Sequence, residues 1–379
     1  MRNSVNMLSY MTLRGDISFM QSPFNEVDAM ILTQLSSIDY SDCMPDAAHA
    51  EQLVVRKWQA RPSVGEVADN YRKKKEAQKK DTQDKVPAFT EKENLLFLVG
   101  KSKRFEKVRM DGFVRDSDVE KEKKFSAVTF YLDPFWAHIA YRGTDGSFIS
   151  WKENFNMTYE MPVPAQTDAV RYLETVAAQK MVKCSVGGHS KGGNIALYAA
   201  AFAKAEVQKK IKAIYCFDAP GYLRDISRDS SFQNIAACIR AYVPESAVIG
   251  TVMNTPFTPE VVRSDEVGIR QHSMLTWQVK ATQMEHCERR DDFSLRMETI
   301  VNGWIDRIPQ EQKPQAINDV FEIFRRNKIT EFSQLYHMDW RQVVGVIKGA
   351  TLLPAQTRDL FVSMIKTMWE EGRKKTAKE

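Results

Sequence analysis

The nine residues Val186-Gly187-Gly188-His189-Ser190-Lys191-Gly192-Gly193-Asn194 constrain the fold of this chain more than any other segment. They set Gly188-x-Ser190-x-Gly192 between an apolar run that reads as a strand, 181–186, and one that reads as a helix, 194–209. A serine on so tight a strand-to-helix turn has a strained backbone, and flanking residues without Cβ let strand and helix close on each other. The turn lifts the hydroxyl above the sheet edge. It also aims the helix N-terminus, with its partial positive charge, at a developing oxyanion. The pattern predicts a nucleophilic serine, with a glycine-rich structural turn as the alternative.

Elements around this turn alternate. Residues 105–110, 125–132 and 135–141 read as strands, with an Asp133-Pro134 turn between the last two. Residues 165–179 read as a helix, and 211–217 and 235–243 as further strands. Such alternation predicts an α/β chain with a mostly parallel sheet and helices on both faces. Residues 1–90 read as an N-terminal helical segment followed by a basic linker, and 91–290 as the α/β core. Apolar residues at Val27, Met30, Ile31, Leu35 and Ile38 follow a helical period. Residues 72–85 carry seven basic and three acidic residues, the pattern of a solvated helix end or linker. Residues 291–379 read as a C-terminal helical appendage, with helices at 295–308, 314–326, 340–348 and 356–371. It would cover the sheet, act as a lid or present a partner surface.

Composition narrows the function. With 54 Lys and Arg against 49 Asp and Glu, the charge is near balance and no basic stripe points to nucleic acid. The apolar runs 95–99 and 196–203 fall far short of the roughly 18 residues a membrane span needs, and the first 20 residues do not read as a signal peptide. A cytoplasmic location is expected. The five cysteines, 43, 184, 216, 238 and 287, form no C-x-x-C pair and read as reduced thiols, while six scattered histidines give no zinc spacing. No metal or organic cofactor is expected.

A second segment, Ile139-Ala140-Tyr141-Arg142-Gly143-Thr144-Asp145, ends a strand in a Gly-Thr turn and is followed by Ser150-Trp151. The Thr144 hydroxyl or a backbone N–H there could hold an oxyanion together with the N–H of Lys191. Tyr-Arg-Gly-Thr with a Trp seven residues later, then Gly-His-Ser-x-Gly-Gly, resembles the class 3 lipase branch of the α/β-hydrolases. The wider wording is similar to a group of bacterial α/β-hydrolase-like proteins of unknown function. It is carried by Ser22-Pro23-Phe24-Asn25-Glu26-Val27-Asp28-Ala29, Trp151-Lys152-Glu153-Asn154-Phe155-Asn156-Met157, Phe217-Asp218-Ala219-Pro220-Gly221-Tyr222 and Gln271-His272 with Trp277-Gln278-Val279. The resemblance spans roughly residues 5–310. It implies an α/β-hydrolase fold and a serine esterase acting on small or lipid-like carboxylic esters. A thioesterase or amidase would use the same residues. The rival is a non-catalytic binding or regulatory protein on the same scaffold.

In this fold the partners follow in the order Ser, acid, His. Of the three histidines after Ser190, namely His272, His286 and His337, His272 fits best, because it follows the last strands and precedes Trp277 in the resembled motif. His189 is expected to pack under the turn rather than act in catalysis. The acid has two candidates. Asp218 ends the strand after the serine unit. Glu245 lies in Tyr242-Val243-Pro244-Glu245-Ser246, where class 3 lipases resemble Asp-x-Val-Pro, but one residue early. Asp218 is preferred, and Glu245 stays open. The Lys191 side chain is read as a solvated surface charge.

Overall fold

The computed structural model describes residues 5–81, 89–144, 148–330, 334–335 and 338–376. Helices α1 (Met7–Arg14) and α2 (Glu26–Leu35) open the chain, followed by the short strand β1 (Asp46–Ala47) and helices α3 (Val64–Asp81) and α4 (Glu91–Lys101). Strands β2 (Arg109–Asp118), β3 (Lys123–Asp133) and β4 (Trp136–Tyr141) form an antiparallel meander. Then come α5 (Phe148–Asn156), α6 (Pro164–Ala177), β5 (Lys183–His189), α7 (Lys191–Phe202), α8 (Ala205–Gln208), β6 (Ile211–Phe217), α9 (Ser230–Gln233), β7 (Ile239–Pro244) and β8 (Glu260–Val262). A small hairpin, β9 (Val279–Lys280) and β10 (Gln283–Met284), precedes α10 (Asp292–Arg307), α11 (Lys313–Arg326), α12 (Trp340–Gly349) and α13 (Ala355–Thr376).

Strands β1 to β8 form one sheet in chain order, parallel throughout from β4 to β8. This is an α/β-hydrolase fold. The pleat sorts side chains to two faces, as its period of two requires. Phe125, Ala127 and Tyr131 of β3 pack with α6 and α7, while Val128 and Phe130 pack with α1 to α4. The N-terminal helices therefore form one layer of the sandwich, and β1 adds a parallel edge to the sheet within the stretch expected to be helical. The residues 22–29 singled out in the sequence tie that layer down. Asn25 caps α2 in a capping box, and Asp28, fully buried, takes the Arg104 guanidinium (Nε to Oδ1, 2.7 Å). Glu26 receives the Tyr242 hydroxyl (2.7 Å) and the Met284 N–H (2.8 Å).

Residues 91–101 are helical, with Thr90 and Glu93 forming a capping box at their start. Two element boundaries differ from the reading of the sequence. The strand expected over 105–110 begins only at Arg109, since the Phe105 N–H turns back to Ser102. The strand expected over 235–243 begins at Ile239, after a single helical turn at Ala236–Cys238. The C-terminal helices build a core of their own, which also takes in Val248 and Ile269. Of the basic run, 82–85 lie outside the described residues, as does His337. No described helix is long and apolar enough to cross a membrane.

Candidate active site

Ser190 stands at the end of β5, between β4 and β6, and caps α7 with φ 57° and ψ −129°. For a residue with a Cβ this is strained backbone, which persists only where the surroundings over-determine it. Two glycines do so. A Cβ on Gly188 would lie 2.0 Å from the Gly192 backbone, and one on Gly192 would lie 2.3 Å from the Tyr141 carbonyl oxygen. The Ser190 N–H is held by Phe217 O (2.9 Å), while Gly193 and Asn194 donate back to Ser190 O. Among the described residues nothing accepts from the Lys191 or Gly192 N–H groups, and the Lys191 N–H directly after the serine is one that an oxyanion could take.

The Lys191 side chain corrects an expectation. It is buried at 1% exposure, not solvated, and its Nζ lies 2.7 Å from Glu153 Oε2 and 2.7 Å from Lys124 O. Glu153 also accepts from the Lys124 and Ala165 N–H groups. The pair joins the turn after β5 to α5 and to the start of α6. Removing one charge leaves the other buried and alone. Lys191→Met is therefore expected to cost about 3–5 kcal/mol, and the double variant with Glu153→Gln less than the sum of the singles. Urea unfolding of the four proteins checks this; additive losses would rule out the coupling.

His272 ends a single helical turn, Gly268–His272, that follows β8. Its Nδ1 lies 2.6 Å from Asp218 Oδ2. Asp218 directly follows β6 in a left-handed conformation (φ 44°), and it is fully buried. Its other oxygen accepts from the Gly250 N–H at 2.9 Å, so the carboxylate is clamped from both sides. The loop bearing His272 is pinned by Trp277, whose indole N–H donates to Gln271 O (2.7 Å). Gln271 in turn accepts from the Ser246 N–H (2.8 Å).

Glu245 is elsewhere. Its N–H pairs with Val262 O beyond the end of β7, and its carboxylate meets the Cys287 thiol, which burial and that carboxylate push up to about 12. The structure thus brings Ser190, Asp218 and His272 together and leaves Glu245 aside. His286 is distant from this group too, paired with Glu260 (3.2 Å).

His189 lies beside the site with its ring 4.4 Å from that of His272, and its Nε2–H donates to His272 O (2.7 Å). Burial, then the neighbouring His272, holds its pKa well below the usual histidine range. That bond could not be read from the sequence. Deeper in the sheet, His138 is fully buried against Thr33 and Ser185, and burial lowers its pKa to about 3. Unfolded, it takes up a proton near pH 6.5. Below that pH the unfolded chain binds more protons than the folded one, so stability falls as the solution is acidified. Lowering pH from 7 to 5 is expected to cost about 2 kcal/mol through His138, with His189 acting in the same direction. Urea midpoints at the two pH values check it; a shift between the two pH values as large in His138→Gln as in wild type would refute it.

Thr144 follows β4, and its Oγ1 accepts from Asn154 Nδ2 (2.6 Å), which leaves the hydroxyl proton to be donated elsewhere. Asp145 lies outside the described residues. Ser190, His272, Thr144, Arg142 and His189 line one cavity of about 480 Å³, in which Ser190 and His272 make no direct hydrogen bond. Among the described residues no group of three or more His, Cys, Asp or Glu is placed to hold a metal ion.

Residues 99–322 match the model of the Mbeg1-like family. The chain belongs to the Mbeg1-like family. That membership and the fold relate the chain to the lipase-like α/β-hydrolases. Among solved structures it is similar to a crystal structure of M37 lipase, at 11% identity and a TM-score of 0.33, over 77% of this chain and 97% of that one. A search of curated proteins gave no match.

Proposed function

We propose that this Mbeg1-like protein is a serine hydrolase that cleaves carboxylic esters through an acyl-enzyme. The observation that carries the reading is the 2.6 Å contact of His272 Nδ1 with the buried, doubly held Asp218, in the cavity that Ser190 lines. A carboxylate only accepts, so His272 carries its proton on Nδ1 and presents the Nε2 lone pair. Nε2 takes the Ser190 proton as Oγ attacks the acyl carbonyl, then returns it to the leaving alcohol. The Lys191 N–H and the Thr144 hydroxyl receive the oxyanion. Water, activated by the same imidazole, then releases the acid and restores Ser190. The missing Ser190–His272 bond fits this order, since such contacts commonly tighten only once substrate is bound.

The test is a fluorophosphonate probe with peptide mapping, on wild type and Ser190→Ala. An adduct on Ser190 that disappears in the variant supports an activated nucleophile. A folded wild type that stays unlabelled would turn the reading towards a binding protein on a hydrolase scaffold.

A further inference from the structure

The wall of the cavity opposite in character to the catalytic groups comes from the C-terminal helices. Ten residues beyond position 290 line it, and every one is apolar. They come chiefly from α10, α11 and α13, and include Met297, Val301, Trp304, Phe324, Phe361 and Met364. Polar lining comes instead from the site residues and their neighbours Asn154, Thr158 and Ser273, from Lys92, and from the end of α2 and the turn after it, at Gln34, Ser36 and Ser37. A substrate here meets polar groups around its reacting bond and hydrocarbon beyond it.

The chemistry of the wall suits a flexible chain. Three of the six methionines that line the cavity, Met297, Met364 and Met368, lie on this wall, and an unbranched thioether side chain adapts to whatever packs on it. Met297 and Phe361 are fully buried in the core of the C-terminal helices, so this wall is backed by packed apolar side chains. The volume, about 480 Å³, matches one small-molecule ligand. It suits one acyl chain better than the several chains of a glyceride.

We infer that the C-terminal helices form an acyl-chain site, and that the substrate is a single-chain ester of medium to long acyl length. The inference rests on the hydrolase reading for the word substrate, but the chain site can be tested without it. Each methylene that enters the cavity raises kcat/KM by about fourfold (from roughly 0.8 kcal/mol per buried CH₂). Over nitrophenyl esters from acetyl to dodecanoyl, kept below their micelle concentrations, wild type is expected to gain at least about a hundredfold by octanoyl. Val301 and Met364 are only partly buried, so a larger side chain there can occupy the cavity. Val301→Trp, or Met364→Trp should the first not fold, lowers the octanoyl-to-acetyl ratio about tenfold or more.

Calorimetry of dodecanoate with Ser190→Ala supplies the second readout. Saturable binding that Val301→Trp abolishes supports the chain site, whatever the enzyme hydrolyses. Ser190-dependent hydrolysis with no chain-length preference, or with turnover confined to a triglyceride emulsion, overturns this inference and leaves the hydrolase reading intact. Dodecanoate binding in a wild type that neither labels nor hydrolyses overturns the hydrolase reading and keeps the site.

Discussion

Ser190→Ala is expected to lower ester hydrolysis by about 10⁴-fold or more, with little change in unfolding midpoint. The two effects separate for a structural reason. Alanine keeps the Cβ, so the strained φ of 57° imposed by Gly188 and Gly192 is unchanged. Among the described residues the Ser190 hydroxyl makes no side-chain hydrogen bond whose loss would unfold the turn, and Ser190 N and O keep their partners in Phe217, Gly193 and Asn194. Hydrolysis of a short-chain nitrophenyl ester, measured beside a urea curve, is the check. Activity retained in a folded variant would remove Ser190 from the mechanism.

The second large effect is at Asp218. Asp218→Asn keeps the shape of the clamp but offers an N–H where the carboxylate accepted. His272 is then driven to carry its proton on Nε2, the nitrogen that must receive the serine proton. A loss of about 10⁴-fold in kcat is expected, the size seen when a triad histidine is held in the wrong tautomer. Glu245→Gln, whose half-buried side chain meets Cys287 and not His272, is expected to keep its rate within about twofold, because it leaves the site untouched. The pair should be compared at equal stability. A collapse of rate in Glu245→Gln alone would transfer the acid's role from Asp218 to Glu245.

How far the chain could be read without coordinates depends on the range of the interactions involved. The strand at Ile211–Phe217 and the four C-terminal helices are local: apolar periodicity and capping residues act within a few positions. The serine turn is local too, because Gly188 and Gly192 are needed within two residues of Ser190. The boundaries that moved lie where local signals conflict. At Phe105 a turn holds an apolar residue that reads as the start of β2, and at Ala236–Cys238 a helical turn takes residues that read as the start of β7.

The amino-acid sequence by itself determined the central strands and helices of the core, the mostly parallel order and the strained serine, because each follows from spacing along the chain. Only the tertiary structure decided what faces Ser190. Asp218 and His272 are 54 positions apart, and the choice over Glu245 turns on where the loop after β8 returns. Lys191 is polar and sits next to the nucleophile, yet α5 brings Glu153 onto it and makes it a core residue. The N-terminal helices became a layer of the sandwich, and the C-terminal helices became the apolar wall of the cavity. In each case the deciding free energy comes from burying groups distant in sequence, and its partners exist only once the sheet has formed.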